Sequence, residues 1–336
     1  MFVRKNSLST NKQFLHQELI SQRKMKMRLF VLGSAATLIL GTEILLRVHY
    51  GFCDTVLIRE DPDFEYIAQP NQQRFRLGNH VIYNALSMRS EEIDTSSIII
   101  LGFGDSVING GTQTDQDSLA TTILSDSLTK FYKKKIQFLN ISAGSWGPDN
   151  CFAYLKKYGD FGAKSIFLFV NSHDAYDNMN FEKIVGSHVS FPSKQYSFAL
   201  YESFDRYLLP KIKKRLKKTV AETDSLGINK KKDNAPFNSG FNSFAAYSRN
   251  KNIQLTIYLH ASQNEKKSEA YNEQGQEIIR FANENNIPII MDLQSGIELS
   301  DFRDGIHINC KGQKQLASTI INYIEQQGQM ADIWNN

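Results

Sequence analysis

The chain has 336 residues, 41% of them hydrophobic, and a formal net charge of +4. That is enough apolar sequence for one large or two modest globular domains, and so small a charge argues against nucleic acid or a strongly acidic polymer as the main partner. Three cysteines, Cys53, Cys151 and Cys310, leave room for one internal bridge, which excludes a disulfide scaffold.

Residues 1–28 carry Arg4, Lys5, Lys12, Arg23, Lys24, Lys26 and Arg28 against the single acid Glu18. The run from Leu29 to Leu46 then holds one charge, Glu43. Eighteen helical residues reach ~27 Å, close to the ~30 Å hydrocarbon core, so the run suffices for one span with local thinning. The cations ahead of it predict a cytoplasmic N-terminus and an extracytoplasmic remainder. A cleaved signal peptide fits less well, because the preamble is long and basic and no A-x-A site follows the apolar run. Phe52 before Cys53 is too bulky for a lipobox. The plainer alternative is a buried helix of a soluble protein.

The expected organisation is a basic cytoplasmic tail (1–28), a transmembrane anchor (29–47), a lead-in segment (48–95) and a globular domain (96–330). An insertion at about 175–250 interrupts that domain. The lead-in is polar and turn-rich, with Pro62, Pro70 and Asn71, and contains one short strand pattern, Val81-Ile-Tyr83.

The most informative stretch is Ser97 to Gly111. Ile98–Leu101 is an unbroken apolar run too short for a helix, as in a parallel strand buried on both faces. Gly104-Asp105-Ser106 then sets a hydroxyl at the carboxyl end of that strand, where open α/β sheets bind ligands. Val107 stands where a dinucleotide loop needs its third glycine, and no Gly-Lys-Ser/Thr follows, so neither phosphate-binding motif is present.

Further strand patterns fall at Ile136–Ile141, Ser165–Val170, Ile253–Leu259 and Ile287–Leu293. Helical patterns fall near Ser118–Tyr132, Asn150–Tyr158, Glu265–Asn283 and Lys311–Glu325. The alternation predicts five parallel strands with helices on both faces. Between Asp174 and Asn250 the rhythm breaks. There Lys211-Ile-Lys-Lys-Arg-Leu-Lys-Lys218, with Ile212, Leu216 and Val220 at helical spacing, reads as an amphipathic helix with a basic outer face. That helix and Lys230-Lys-Lys232 read first as solvated surface, and alternatively as a contact for anionic lipid headgroups or an acidic polymer.

Near the far end, Asp304-Gly-Ile-His307 places an acid three residues before a histidine in a glycine-containing loop. Such an acid can hold the imidazole Nδ1 while Nε2 turns toward a serine, which with Ser106 suggests a Ser-His-Asp arrangement. His260, at a strand end, reads as structural. His173, Asp174, Asp177, Asp304 and His307 lack metal-ligand spacing, so no metal and no cofactor is expected.

These residues resemble the SGNH (GDSL-type) hydrolases over roughly Ser96 to Gln326. Gly104-Asp105-Ser106 is similar to the family's first block and Asp304-x-x-His307 to its last. Asn140-Ile-Ser-Ala-Gly144-Ser-Trp-Gly147 resembles its second, and Tyr83 to Glu91 looks like the lead-in of membrane-tethered members. The resemblance implies a flavodoxin-like three-layer α/β/α sandwich, with Ser106 as nucleophile and His307 and Asp304 completing a triad. It implies oxyanion donors at Ser106 and at Gly144 or Ser145. The family's Gly-x-Asn-Asp falls on Asn171-Ser-His173-Asp174, so His173 stands at the donor asparagine and Asn171 at the glycine, and either could donate.

The expected function is a membrane-anchored serine esterase removing acyl groups, acetyl among them, from an extracytoplasmic glycan or glycolipid. The alternatives are an O-acyltransferase using the same triad and an inactive glycan-binding or assembly protein.

Overall fold

The computed structural model describes residues 4–217 and 235–327. Residues 1–3 of the tail, the end of the domain from 328, and Lys218, Val220 and Lys230–Lys232 of the basic insertion lie outside the described residues. Helix α1, Arg4–Tyr50, runs through both the basic stretch and the apolar run, which no proline interrupts. Within His16–Tyr50 it carries a window long and apolar enough to cross a membrane, and none of that window is buried.

The lead-in folds into two antiparallel hairpins, β1 (Ile58–Asp61) with β2 (Glu65–Ala68) and β3 (Gln72–Arg76) with β4 (Asn79–Tyr83). Leu77 and Gly78, both at positive φ, make the two-residue turn that suits a twisted hairpin. Phe64, Tyr66 and Ile67 join Trp146 and Tyr154 in the main core.

Five strands form the parallel sheet: β5 (Ile98–Gly104), β6 (Ile136–Ser142), β7 (Ser165–Asn171), β8 (Gln254–His260) and β9 (Ile289–Met291). Their order is β6-β5-β7-β8-β9, the flavodoxin-like doubly wound order. Before the sheet, Arg89 N–H donates to the Asn140 carbonyl (2.9 Å) and Asn140 N–H to Ser90 Oγ (2.8 Å), so the lead-in runs along the outer edge of β6.

Strand β7 explains the layers. Ile166, Leu168 and Val170 point into one core and Phe167 and Phe169 into the other, as period-two geometry requires. Helices α2 (Ala120–Tyr132) and, at the chain's end, Cys310–Gln327 cover the Phe167 face through Leu124, Leu128, Leu316 and Ile320. Helix α3 (Pro148–Tyr158) covers the opposite face through Tyr154 and Leu155. Next along the chain is α4, three abutting pieces: Ala199–Ser203, a π-helical turn Phe204–Leu208, and Leu209–Lys217. Helix α5 (Ser239–Lys251) packs beside α3 through Phe241 and Phe244. It is the crossover that parallel strands β7 and β8 require, so the stretch read as an insertion contains a helix of the sandwich.

The helical pattern near Glu265–Asn283 is two helices, α6 (Gln263–Ser268) and α7 (Glu273–Glu284). Asn272 separates them, its side chain capping α7 by accepting from Gly275 N–H. The last helix, Cys310–Gln327, is α8. All three cysteines are free.

The end of β5 leaves no room for a side chain. A Cβ on Gly104 would lie 2.9 Å from Ile108 Cγ2 and 3.0 Å from both Cβ and the carbonyl oxygen of Phe169. Gly104→Ala should therefore push β5 and β7 apart and cost about 1–3 kcal/mol, which chemical denaturation would measure. Gly305→Ala, whose Cβ meets nothing within 4 Å, is the matched control and should stay near the parent.

Candidate active site

Ser106 opens a short helical turn, Ser106–Asn109, directly after β5. Asp105 caps the turn through Oδ1, which accepts from Val107 N–H at 2.8 Å, and Gly110 at φ 70° closes it. The turn is held on several sides. Asn140 Nδ2 donates to the Ile108 carbonyl (2.7 Å), Asn109 Nδ2 to the Ser142 carbonyl (3.1 Å), and Tyr83 Oη to Asn109 Oδ1 (3.1 Å). Arg89, fully buried, donates to the Gly111 and Thr114 carbonyls and to Gln116 Oε1. It thereby fixes the loop that follows the turn.

The second half of the site lies between β9 and α8. Phe302 and Ile308 bridge antiparallel, and Arg303 N–H donates to the His307 carbonyl (2.8 Å), closing a small loop. Inside it, Asp304 Oδ1 accepts from the backbone N–H of Ile306 (3.0 Å) and His307 (2.8 Å). His307 Nδ1 lies 2.8 Å from Asp304 Oδ2, and its Nε2 lies 2.8 Å from Ser106 Oγ. Burial pushes the Asp304 carboxyl up, but the two amides and the imidazole outweigh it and hold the group below the usual carboxylate range. An ionised acid behind Nδ1 leaves Nε2 free to accept the serine proton. Arg303 Nη1 also donates to Gln113 Oε1 (2.9 Å), tying this loop to the one after the Ser106 turn.

The structure thus brings Ser106, His307 and Asp304 into hydrogen-bonded sequence, and Asn140, Ser142 and Asn171 of the middle blocks contact the residues on either side of Ser106. Ser145 has φ 60°, the left-handed region that favours glycine, whereas Gly144 does not. The Gly144 carbonyl accepts from Tyr66 Oη (2.8 Å), which anchors the turn to the lead-in.

Asn171 and His173 are placed differently. Asn171 is buried, and its Nδ2 donates to Asp105 Oδ2 at 2.8 Å. His173 is partly exposed, with Nε2 3.4 Å from Asp174 Oδ1. Burial, followed by the charge of Asp105, pushes the Asp174 carboxyl well above the usual range. Asp105, His173 and Asp174 are the group among the described residues with the make-up of a cation site, their ligand atoms lying within 4.8 Å of one another. Both carboxylates already accept hydrogen bonds, Asp105 from Val107 and Asn171 and Asp174 from Asn171 N–H.

A groove of about 520 Å³ opens beside His173 and the Gly305–Ile306 turn, lined further by Ser262, Asn264, Ser268, Asn272 and Gln274. Behind it His260 and Asp292 form a buried pair. Nδ1 of His260 bonds Asp292, Nε2 donates to the Ile306 carbonyl (2.8 Å), and the ring stacks on Phe302. His260 is therefore structural, and what it supports is the loop bearing His307. Asp105, Arg89 and Arg303 are the residues that the sequence reading did not single out. Asp105 was detectable as the residue before the serine, whereas nothing local marks Arg89 or Arg303 as buried ties.

No family model and no curated protein matches the sequence. Solved structures with a similar chain path include a two-domain esterase active on acetylated mannans, at 10% identity and TM-score 0.41. The match covers 68% of this chain and 49% of that one, so the chain spans about half its length. A psychrotrophic esterase from Pseudoalteromonas sp. is 14% identical with TM-score 0.38, the match covering 68% and 97%. A lipase/acylhydrolase from Enterococcus faecalis is 12% identical with TM-score 0.39, covering 68% and 96%.

The His260–Asp292 pair predicts a stability signature. Burial pulls the imidazole pKa down, but the Asp292 charge and hydrogen bond outweigh it and raise the pKa above the ordinary value. The pair's contribution is therefore complete below the ordinary histidine pKa of about 6.5 and fades as pH rises through the higher folded-state value. Thermal unfolding from pH 6 to 9 should show the parent losing more Tm than His260→Leu. At pH 6, His260→Leu should cost about 3 kcal/mol by stranding a buried carboxylate, and adding Asp292→Leu should recover much of it.

Proposed function

We propose that the protein is an SGNH-type serine esterase, anchored by α1, that removes acyl groups from hydroxyl-rich substrates outside the cytoplasm. The observation that carries the reading is the chain of contacts from Ser106 Oγ through His307 to Asp304. In this mechanism Ser106 Oγ attacks the ester carbonyl and its proton passes to His307 Nε2. The carbonyl π electrons move onto oxygen, then return as the C–O bond to the alcohol breaks, and His307 gives that alcohol the proton. Water, deprotonated by the same Nε2, attacks the acyl-serine, and the carboxylic acid leaves with Ser106 restored.

The oxyanion needs preorganised donors. Candidates are the backbone N–H groups of Ser106 and of Gly144 or Ser145, together with the His173 ring. Asn171 is a weaker candidate because its amide already serves Asp105. The groove beside His173 mixes hydroxyl and amide side chains with Glu265, Ala270, Tyr271 and Ile306, a lining that supports a glycan or glycolipid as the alcohol component. The basic residues ahead of Leu29 support the extracytoplasmic placement.

A fluorophosphonate probe should label the parent and leave Ser106→Ala unlabelled; equal labelling would discard the assignment. With p-nitrophenyl acetate, His307→Ala should lower kcat on the order of 10⁶-fold and Asp304→Ala on the order of 10⁴-fold, since losing the base disables the nucleophile outright.

The oxyanion reading makes a separate prediction. His173→Ala should still react with the probe yet hydrolyse the ester about 10²–10³-fold more slowly, and His173→Asn should restore much of the rate. If His173→Ala is silent and Asn171→Ala crippling, the donor is Asn171; if both are silent, the backbone N–H groups are the whole oxyanion hole.

A further inference from the structure

Helix α4 is inside out for a helix in water. Of its two buried positions, Ala199 and Glu202, one holds a charge. Glu202 is fully buried, accepting from Arg76 Nη2 at 2.7 Å and from Cys53 N–H, with Arg206 Nε at 3.2 Å. Its outer positions hold large apolar side chains, namely Tyr201 (58% exposed), Phe204 (43%), Leu208 (51%) and Ile212 (39%), preceded by Phe198 (64%). Tyr201, Phe204, Leu208 and Ile212, at intervals of three and four residues, fall on one side, with Phe198 in extended backbone just before the helix and Leu200 and Tyr207 exposed beside the stripe. Exposed Lys211, Lys213 and Arg215 follow at the far end.

The place where α4 begins says what covers that stripe. Glu43, the one charge in the apolar run of α1, accepts from the backbone N–H of Ala199 (2.8 Å) and Leu200 (3.0 Å) and pairs with Arg47 at 2.7 Å. Arg47 in turn donates to the Ser197 carbonyl. Glu43 lies three residues, about 4.5 Å of helix rise, short of Leu46, where the run ends. A span through that run therefore holds the first turn of α4 at the depth where hydrocarbon gives way to headgroups. Aromatic side chains concentrate at that depth, and cations there meet lipid phosphates.

We propose that α4 lies in the headgroup layer of the bilayer that α1 crosses. Phe198, Tyr201, Phe204, Leu208 and Ile212 sit at the acyl boundary, and Lys211, Lys213 and Arg215 lie against anionic phospholipid. This rests on the membrane-anchor reading of α1. It gives Glu43 a role as well, since a carboxylate spent on two backbone N–H groups and an arginine is far cheaper at the edge of a membrane than a bare one. It also holds the catalytic domain at a fixed distance and tilt, since the Glu202–Arg76 pair joins the helix to the lead-in.

The test reconstitutes the full chain in phosphatidylcholine–phosphatidylglycerol vesicles, with p-benzoylphenylalanine placed singly at position 201, 204 or 208. Position 38 in the apolar run serves as the span control, and position 131, another exposed aromatic site, as the surface control. Irradiation should join lipid to positions 38, 201, 204 and 208 with yields several-fold above position 131. The yields at 201–208 should fall in phosphatidylcholine alone and in Lys211→Glu/Lys213→Glu/Arg215→Glu. Lipid capture at 38 without capture at 201–208 overturns the proposal and leaves the span standing, as does crosslinking of those positions to a second copy of the chain. No capture at 38 removes the anchor reading itself. Capture at 201–208 that ignores both lipid charge and the charge reversal overturns the role given to the three cations.

Discussion

The hydrogen bond between Ser106 Oγ and His307 Nε2 joins residues 201 positions apart, and most of the architecture can be read as what that bond requires. A serine hydroxyl and an imidazole meet at 2.8 Å only if both loops leave the sheet at the same edge. Parallel strands meet that condition because all their carboxyl ends lie together. The close contact of Gly104 with Phe169 then sets how near the Ser106 turn comes to the neighbouring strand.

Polar groups, buried and paired, do the finer positioning. Asn140, Asn109 and Tyr83 hold the Ser106 turn, and Arg89 holds the loop after it through two carbonyls and an amide oxygen. A guanidinium buried among carbonyls is costly unless its donors are used. Here three are, so the loop has little freedom to shift without exposing an unpaired cation. The lead-in is thus part of the site's framework, reaching it through Tyr83, Arg89 and Tyr66.

Three titratable groups around the site are driven apart by their surroundings. Backbone amides and an imidazole hold Asp304 low, burial beside Asp105 holds Asp174 high, and Asp292 holds His260 high. The outcome is an acid held ionised behind His307 and, next to Asp105, an acid that keeps its proton more tightly than usual.

Period-two and period-3.6 apolar patterns are local properties, so the five strands, the helices that flank them and the apolar run ahead of them were legible in the sequence. The spacing of Gly104-Asp105-Ser106 and Asp304-x-x-His307 was legible for the same reason, since each motif sits on one turn of chain. Four strands lengthened at their carboxyl ends, as with Asn171 and His260, because ladder partners supply hydrogen bonds that local propensity does not encode, whereas the edge strand expected at Ile287–Leu293 shortened to Ile289–Met291, where it pairs on one side alone. Only the tertiary structure decided that Asn171 turns to Asp105 while His173 faces the groove, that Ser145 adopts a glycine's backbone, and that His260 supports the His307 loop. It likewise decided that α4 buries Glu202 and exposes its aromatics. Each of these depends on a partner distant in sequence, and a side chain's environment is set by what packs against it, which no window of neighbouring residues contains.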